Sequence, residues 1–123
     1  MSKFVVLSSG SSGNSVFIDH AGTKILVDAG FSGRKIENLL QSVGENPKDL
    51  DAIFLTHEHA DHSKGAAILA KRHKVPLYAN RGTWKAYLPK TKNFKGELIR
   101  EFKSDEFLNF KSMHIYPIST YHD

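Results

Sequence analysis

An α/β (α+β) fold is the class this sequence predicts, and three observations carry the prediction. Short apolar runs alternate with stretches whose apolar residues recur at helical spacing. One run, Ala52-Ile53-Phe54-Leu55, is apolar throughout, the pattern of a strand buried on both faces. A helical stretch then separates that run from the next strand, the order that produces parallel pairing. In such sheets functional groups collect at the carboxyl ends of the strands.

The elements follow in order. Phe4 to Leu7 and Ser15 to Asp19 read as strands joined by the loop Ser8-Ser9-Gly10-Ser11-Ser12-Gly13-Asn14, and a tight turn at His20-Ala21-Gly22-Thr23 leads to a third strand, Lys24 to Asp28. Ser32 reads as a helix N-cap. Ile36, Leu39, Leu40 and Val43 then recur at i, i+3, i+4 and i+7, and Gly44 and Pro47 end the helix. After the strand at Ala52–Leu55 and a polar loop, Ser63 is placed to cap a helix running to about His73, with Ala66, Leu69, Ala70 and His73 toward the core. Pro76 to Asn80 returns as a strand and Gly82 to Leu88 as a short helix. Pro89 to Gly96 is a basic loop, and Glu97–Phe102, Phe107–Phe110 and Met113–Ile118 read as three further strands.

Composition narrows the class. A chain of 123 residues buries one modest core, and its lack of cysteine excludes disulfides and thiolate metal ligands, leaving His and Asp as the ligand set. Phe4-Val5-Val6-Leu7 is too short for a signal-peptide core or a membrane span, so a cytoplasmic protein with no membrane association is expected. The formal net charge of +4 suits a polyanionic partner. Lys85, Lys90, Lys92, Lys95, Arg100 and Lys103, interleaved with Trp84, Tyr87 and Phe94, form the densest basic stretch. It reads either as a surface for a phosphate backbone with stacking bases or as a solvated face over core aromatics.

The chemistry lies in Thr56-His57-Glu58-His59-Ala60-Asp61-His62, which places three imidazoles and a carboxylate among six consecutive positions from 57 to 62. In an extended segment His57 and His59 share a face and can grip one ion, while Glu58 points away from them. Asp61 and His62, where the chain turns, can reach a second ion about 3.5–4 Å from the first. Asp28, closing the strand Ile25-Leu26-Val27, is a candidate to stand behind the imidazoles and orient them. His20, His73 and His114 lack ligand spacing and read as surface or structural histidines.

His-x-His-x-Asp-His resembles the signature of the metallo-β-lactamase superfamily, and Asp28 matches its first acidic position. The resemblance extends to the loop Leu7–Ser15, which is similar to the opening of nuclease-like and phosphodiesterase-like branches, and to Pro76–Trp84, which is similar to the YycJ/VicX/WalJ family. It implies an αββα sandwich, of which residues 1–123 form the N-terminal half, a single incomplete domain. It also implies two Zn²⁺ ions per complete domain, with Mn²⁺ as an alternative. His57, His59 and the terminal His122 would hold the first ion, Asp61 and His62 would begin the second site, and Asp61 would help orient the nucleophile. Ser11, Ser12, Gly13 and Asn14 are candidates for a phosphate-binding loop. The function implied is metal-dependent hydrolysis, in particular exonuclease action on the phosphodiester bonds of DNA.

A small-molecule hydrolase of the same fold is the alternative within enzymes, and a non-catalytic zinc-binding remnant the alternative outside them. The family's bridging aspartate and last histidine come from a C-terminal half that does not appear before Asp123. Residues 1–123 alone are therefore expected to be nearly inert, and to expose an apolar sheet face open to dimerisation.

Overall fold

A computed structural model of the chain describes residues 2–92, 94 and 96–118. Six strands form one sheet in sequence order: β1 (Ser2–Ser8), β2 (Ser15–His20), β3 (Thr23–Val27), β4 (Ala52–Phe54), β5 (Leu77–Ala79) and β6 (Ile99–Glu101). The first three are antiparallel, as hairpin-length connections require. From β3 to β6 every pair is parallel, because helices occupy the longer connections. A hairpin of β7 (Leu108–Phe110) and β8 (Met113–Ile115) makes a separate two-stranded sheet. The eight strands expected from sequence are present among the described residues, although several are shorter than their apolar runs. Tyr116, Pro117 and Ile118, for instance, lie beyond β8.

Among the described residues the α-helices are α1 (Gly33–Ser42), α2 (Ala60–Ser63), α3 (Ala66–His73) and α4 (Arg81–Tyr87). Ser32 caps α1, its hydroxyl accepting from Lys35 N, and Asn80 caps α4 by accepting from Thr83 N at 2.7 Å. The helix expected to begin at a Ser63 cap is instead two. Ser63 ends α2, and its hydroxyl donates to Glu58 O and His59 O. Gly65 then begins α3. A Cβ there would lie 2.3 Å from Phe31 O, so the break falls where the chain passes too close to the Phe31 backbone for any side chain.

Alternate residues of β4 face opposite layers. Ile53 and Leu55 enter the larger core, with Phe17, Leu26, Ile36, Leu40, Leu69 and Trp84, between the sheet and its helices. Ala52 and Phe54 point the other way, toward Met113 and the hairpin. There Phe54 stacks on Tyr78 at 4.7 Å and meets Phe110 edge-on at 5.8 Å, which anchors the hairpin over the parallel strands. The Ser112 hydroxyl in the hairpin turn donates to His20 O and ties the turn to the edge of β2. Phe4, Val6, Phe107 and Ile118 remain largely exposed. Among the described residues no helix is long and apolar enough to cross a membrane.

Three largely shielded carboxylates tie these layers together. Glu45 pairs with Lys3 of β1 at 2.7 Å and Lys24 of β3 at 3.1 Å, Glu37 pairs with Arg72 and His73 of α3, and Asp51 pairs with Lys111 of the hairpin turn. Burial alone would raise each acid, but the hydrogen bonds and charges of these partners outweigh it and hold all three below their ordinary values. A carboxylate with a lowered folded-state pKa stabilises the fold above its unfolded value, and that stability is lost as pH falls through the folded value. The melting temperature should therefore be level near neutrality and decline once pH drops below about 4–5. Glu45→Gln should be less stable at neutral pH and show a shallower acid decline. Superimposable pH profiles for the two proteins would refute the assignment.

Candidate metal centre

The site stands where the carboxyl ends of β3 and β4 lie side by side. Asp28 follows β3, and Thr56 and His57 lie just beyond β4. Asp28 has φ +64°, a left-handed conformation that aspartate adopts more readily than most residues. Its N–H donates to Phe54 O at 2.8 Å, so the strained turn is held by the neighbouring strand.

The carboxylate of Asp28, only 5% exposed, organises the loop. Oδ1 accepts from Thr56 N at 2.8 Å, and Oδ2 accepts from the Thr56 hydroxyl and from His62 Nδ1, both at 2.7 Å. Because the single Thr56 hydroxyl proton goes to Asp28, the 2.9 Å contact between Thr56 Oγ1 and His57 Nδ1 assigns the donor role to the ring. Both His57 and His62 therefore carry their proton on Nδ1 and their lone pair on Nε2. One buried carboxylate thus sets two tautomers, the usual arrangement behind metal-binding imidazoles.

Donor atoms of His57, His59 and Asp61 all lie within 4.8 Å of one another. The chain turns after His59, as expected. His59 is the N-cap of α2, and Asp61 and His62 sit in its single turn. That turn leaves Asp61 within reach of the His57–His59 pair and of His62 alike. His62 remains close, its ring centroid 3.8 Å from that of His57 and its Nε2 3.6 Å from Asp61 Oδ2. The curl also corrects the expectation for Glu58, whose Oε2 lies 3.6 Å from His59 Nε2 rather than pointing away. His122 lies outside the described residues.

Of the Ser-Gly loop, Asn14 is the residue that reaches the centre. Its side-chain amide donates to Gly10 O and Asp61 O and lies 3.2 Å from His62 Nε2, while its backbone N–H donates to Asp61 O at 2.8 Å. Ser11 and Ser12 are exposed, and Gly13 packs its missing side chain against the Phe31 ring. The three remaining histidines are engaged elsewhere. His73 contacts Glu37 at 2.6 Å, His20 contacts Ser2 at 2.7 Å and His114 contacts Asn109 at 2.6 Å.

Sequence reasoning missed Thr56, Gly30 and Tyr87. Thr56 relays Asp28 to His57. Gly30 permits the backbones of Asn14 and Asp61 to meet, since a Cβ there would fall 1.9 Å from Asp61 O. Tyr87 braces the loop from below, its hydroxyl donating to Ser63 O and accepting from Ala67 N. Burial pushes the Tyr87 phenol up, which keeps it a donor. A conspicuous glycine after Asp28 was the one available signal for Gly30.

The profile of the metallo-beta-lactamase superfamily matches residues 9–117. Exodeoxyribonuclease WalJ of Streptococcus pneumoniae is 44% identical over 110 residues, which cover 85% of this chain and 41% of that protein. Exodeoxyribonuclease YycJ of Bacillus anthracis is 46% identical over 83 residues, covering 68% and 31% respectively. The chain thus spans less than half the length of these relatives. Among solved structures, the Rm3 metallo-beta-lactamase superposes with a TM-score of 0.68 at 22% identity, covering 85% of this chain and 45% of that one, a likeness of fold. The superfamily is metal-dependent, and the His57–His59–Asp61 cluster has the donor set that dependence requires. The chain belongs to the metallo-beta-lactamase superfamily.

Proposed function

We propose that this chain carries the metal-binding half of a cytoplasmic metallohydrolase that cleaves phosphodiester bonds of DNA. The observation that carries the reading is the convergence of His57, His59 and Asp61 within 4.8 Å, beside a His62 whose Nε2 lone pair is set by Asp28. All four side chains are of the nitrogen and oxygen type that zinc and manganese accept. His57 and His59, with His122, would hold one ion, and Asp61 and His62 would begin the site of a second beside it. Such ions supply Lewis-acid charge and a water of lowered pKa. The chain's own residues position that chemistry. Asp28 and Thr56 keep the imidazole lone pairs directed outward, and the Asn14 amide restrains Asp61 and His62. The names of the relatives, both exodeoxyribonucleases at 44% and 46% identity, support DNA over other esters. In this reading residues 1–123 supply one part of a larger catalytic domain.

The test compares residues 1–123 with the product of the reading frame that encodes them, on end-labelled DNA and on bis-p-nitrophenyl phosphate. Metal-dependent release of nucleotides by the latter, abolished by chelation, is expected. Hydrolysis confined to the small ester would favour a small-molecule hydrolase, and DNA degradation indifferent to chelators would defeat the reading.

A further inference from the structure

A groove of about 860 Å³ runs beside the metal loop, between α2–α3 on one side and residues 90–92 on the other. Lys64, Lys71, Arg72, Lys90 and Lys92 border it, and Glu58 stands at the end where it meets the His57–His59 pair. Among the described residues, five basic side chains thus face one acidic one along this groove, a local positive excess of the same sign as the net charge of the chain. Arg72 is paired with Glu37, but Lys64, Lys71, Lys90 and Lys92 have no ion-pair partner among the described residues. Unpaired cations on both walls of a groove are a footprint for a chain of regularly spaced anions.

The aromatic residues near it limit what the groove can read. Trp84, Tyr87 and Phe94 are 5%, 5% and 7% exposed, with Trp84 stacked on Phe94 at 6.0 Å, so they are core and offer bases no stacking surface. Lys85, Arg100 and Lys103, which sequence alone grouped with Lys90 and Lys92, do not border the groove.

We propose that this groove is the track for the phosphate backbone of a DNA strand leading to the metal loop, held by Lys64, Lys71, Lys90 and Lys92 without regard to base sequence. The proposal rests on the reading of DNA as substrate, and its test is separable from that reading because it needs no catalysis. Binding of a fluorescent single-stranded DNA 20-mer is measured across salt concentrations in the presence of a chelator. Each lysine–phosphate contact on a single strand contributes roughly 0.7 to the slope of log affinity against log salt. The variant Lys71→Gln/Lys90→Gln/Lys92→Gln should therefore reduce the slope by about 2. Arg34→Gln/Lys48→Gln/Lys103→Gln, which removes equal charge from exposed positions elsewhere, should reduce it by less than about 0.7. Far-ultraviolet circular dichroism establishes that both variants fold.

Equal losses in the two variants would overturn the proposal, as would tighter binding of RNA or of phosphatidylserine vesicles than of DNA. An unchanged slope in the groove variant, with DNA still degraded by the metal-loaded enzyme, would remove the groove and leave the nuclease reading intact. A reduced slope, with no phosphodiester hydrolysis by the metal-loaded product of the encoding reading frame, would support the groove and remove that reading.

Discussion

His59→Ala should abolish tight metal binding, whereas His73→Ala should leave it intact while lowering stability. His59 is one of three side chains whose donor atoms gather within 4.8 Å, and its loss leaves His57 and Asp61 to hold an ion with two donors. Removing even a residue that only orients a ligand costs about 10–100-fold in affinity, so removing a ligand should cost more than about 100-fold. His73 belongs to the fold instead. Its Nε2 contacts Glu37 Oε2 at 2.6 Å, linking α3 to α1, and truncation leaves a largely shielded carboxylate with Arg72 as its remaining partner. Titration of each protein with Zn²⁺ against a competing chelator, paired with a thermal melt, separates the two roles. Similar affinity losses in both variants would disprove the ligand assignment.

The second large effect should come from a residue with no side chain. Gly30→Ala places a Cβ 1.9 Å from Asp61 O, 2.5 Å from Asp61 C and 2.6 Å from Asn14 N, all of them backbone atoms that no rotamer change can move aside. The displaced segments also carry the hydrogen bonds that join the site, Gly30 N to Asn14 O and Asn14 N to Asp61 O. Overpacking costs about 1–3 kcal/mol where side chains can yield, and this contact should lie at or above the top of that range. A fall in melting temperature of about 10 °C or more is expected, together with weakened metal binding as Asp61 shifts. Gly82→Ala is the control. Its Cβ would meet only the Asn80 side chain at 3.7 Å, so the change should be neutral or mildly stabilising within α4. Equal melting temperatures for the two variants would show that the Gly30 contact relaxes at no cost.

These two predictions draw on different kinds of information. The ligand candidates His57, His59, Asp61 and His62 were legible because they are contiguous, and their residue types alone specify a nitrogen and oxygen donor set. The parallel pairing of β4 with β5 was legible for a similar reason, since an apolar run followed by a helix and another run leaves the sheet few other connections. Asp28 was recognisable as a candidate. That it reaches His62, 34 residues away in sequence, directly and His57 through Thr56 depends on β3 lying next to β4.

By itself, then, the amino-acid order determined the α/β class of the fold, the run of its strands and helices and the chemical identity of the metal loop, because hydrophobic periodicity and local spacing are properties of neighbouring residues. Tertiary structure decided the rest. It set the distances within the loop, bringing donor atoms of His57, His59 and Asp61 within 4.8 Å where the chain enters the α2 turn after His59. It divided one expected helix into α2 and α3 at Gly65, where the Phe31 backbone leaves no room for a side chain. It also set Lys64 and Lys71 across a groove from Lys90 and Lys92, residues whose separation in sequence carries no sign of shared surface. Distances between such groups follow from which strands pair and which backbones touch, and packing of the whole chain alone determines those contacts.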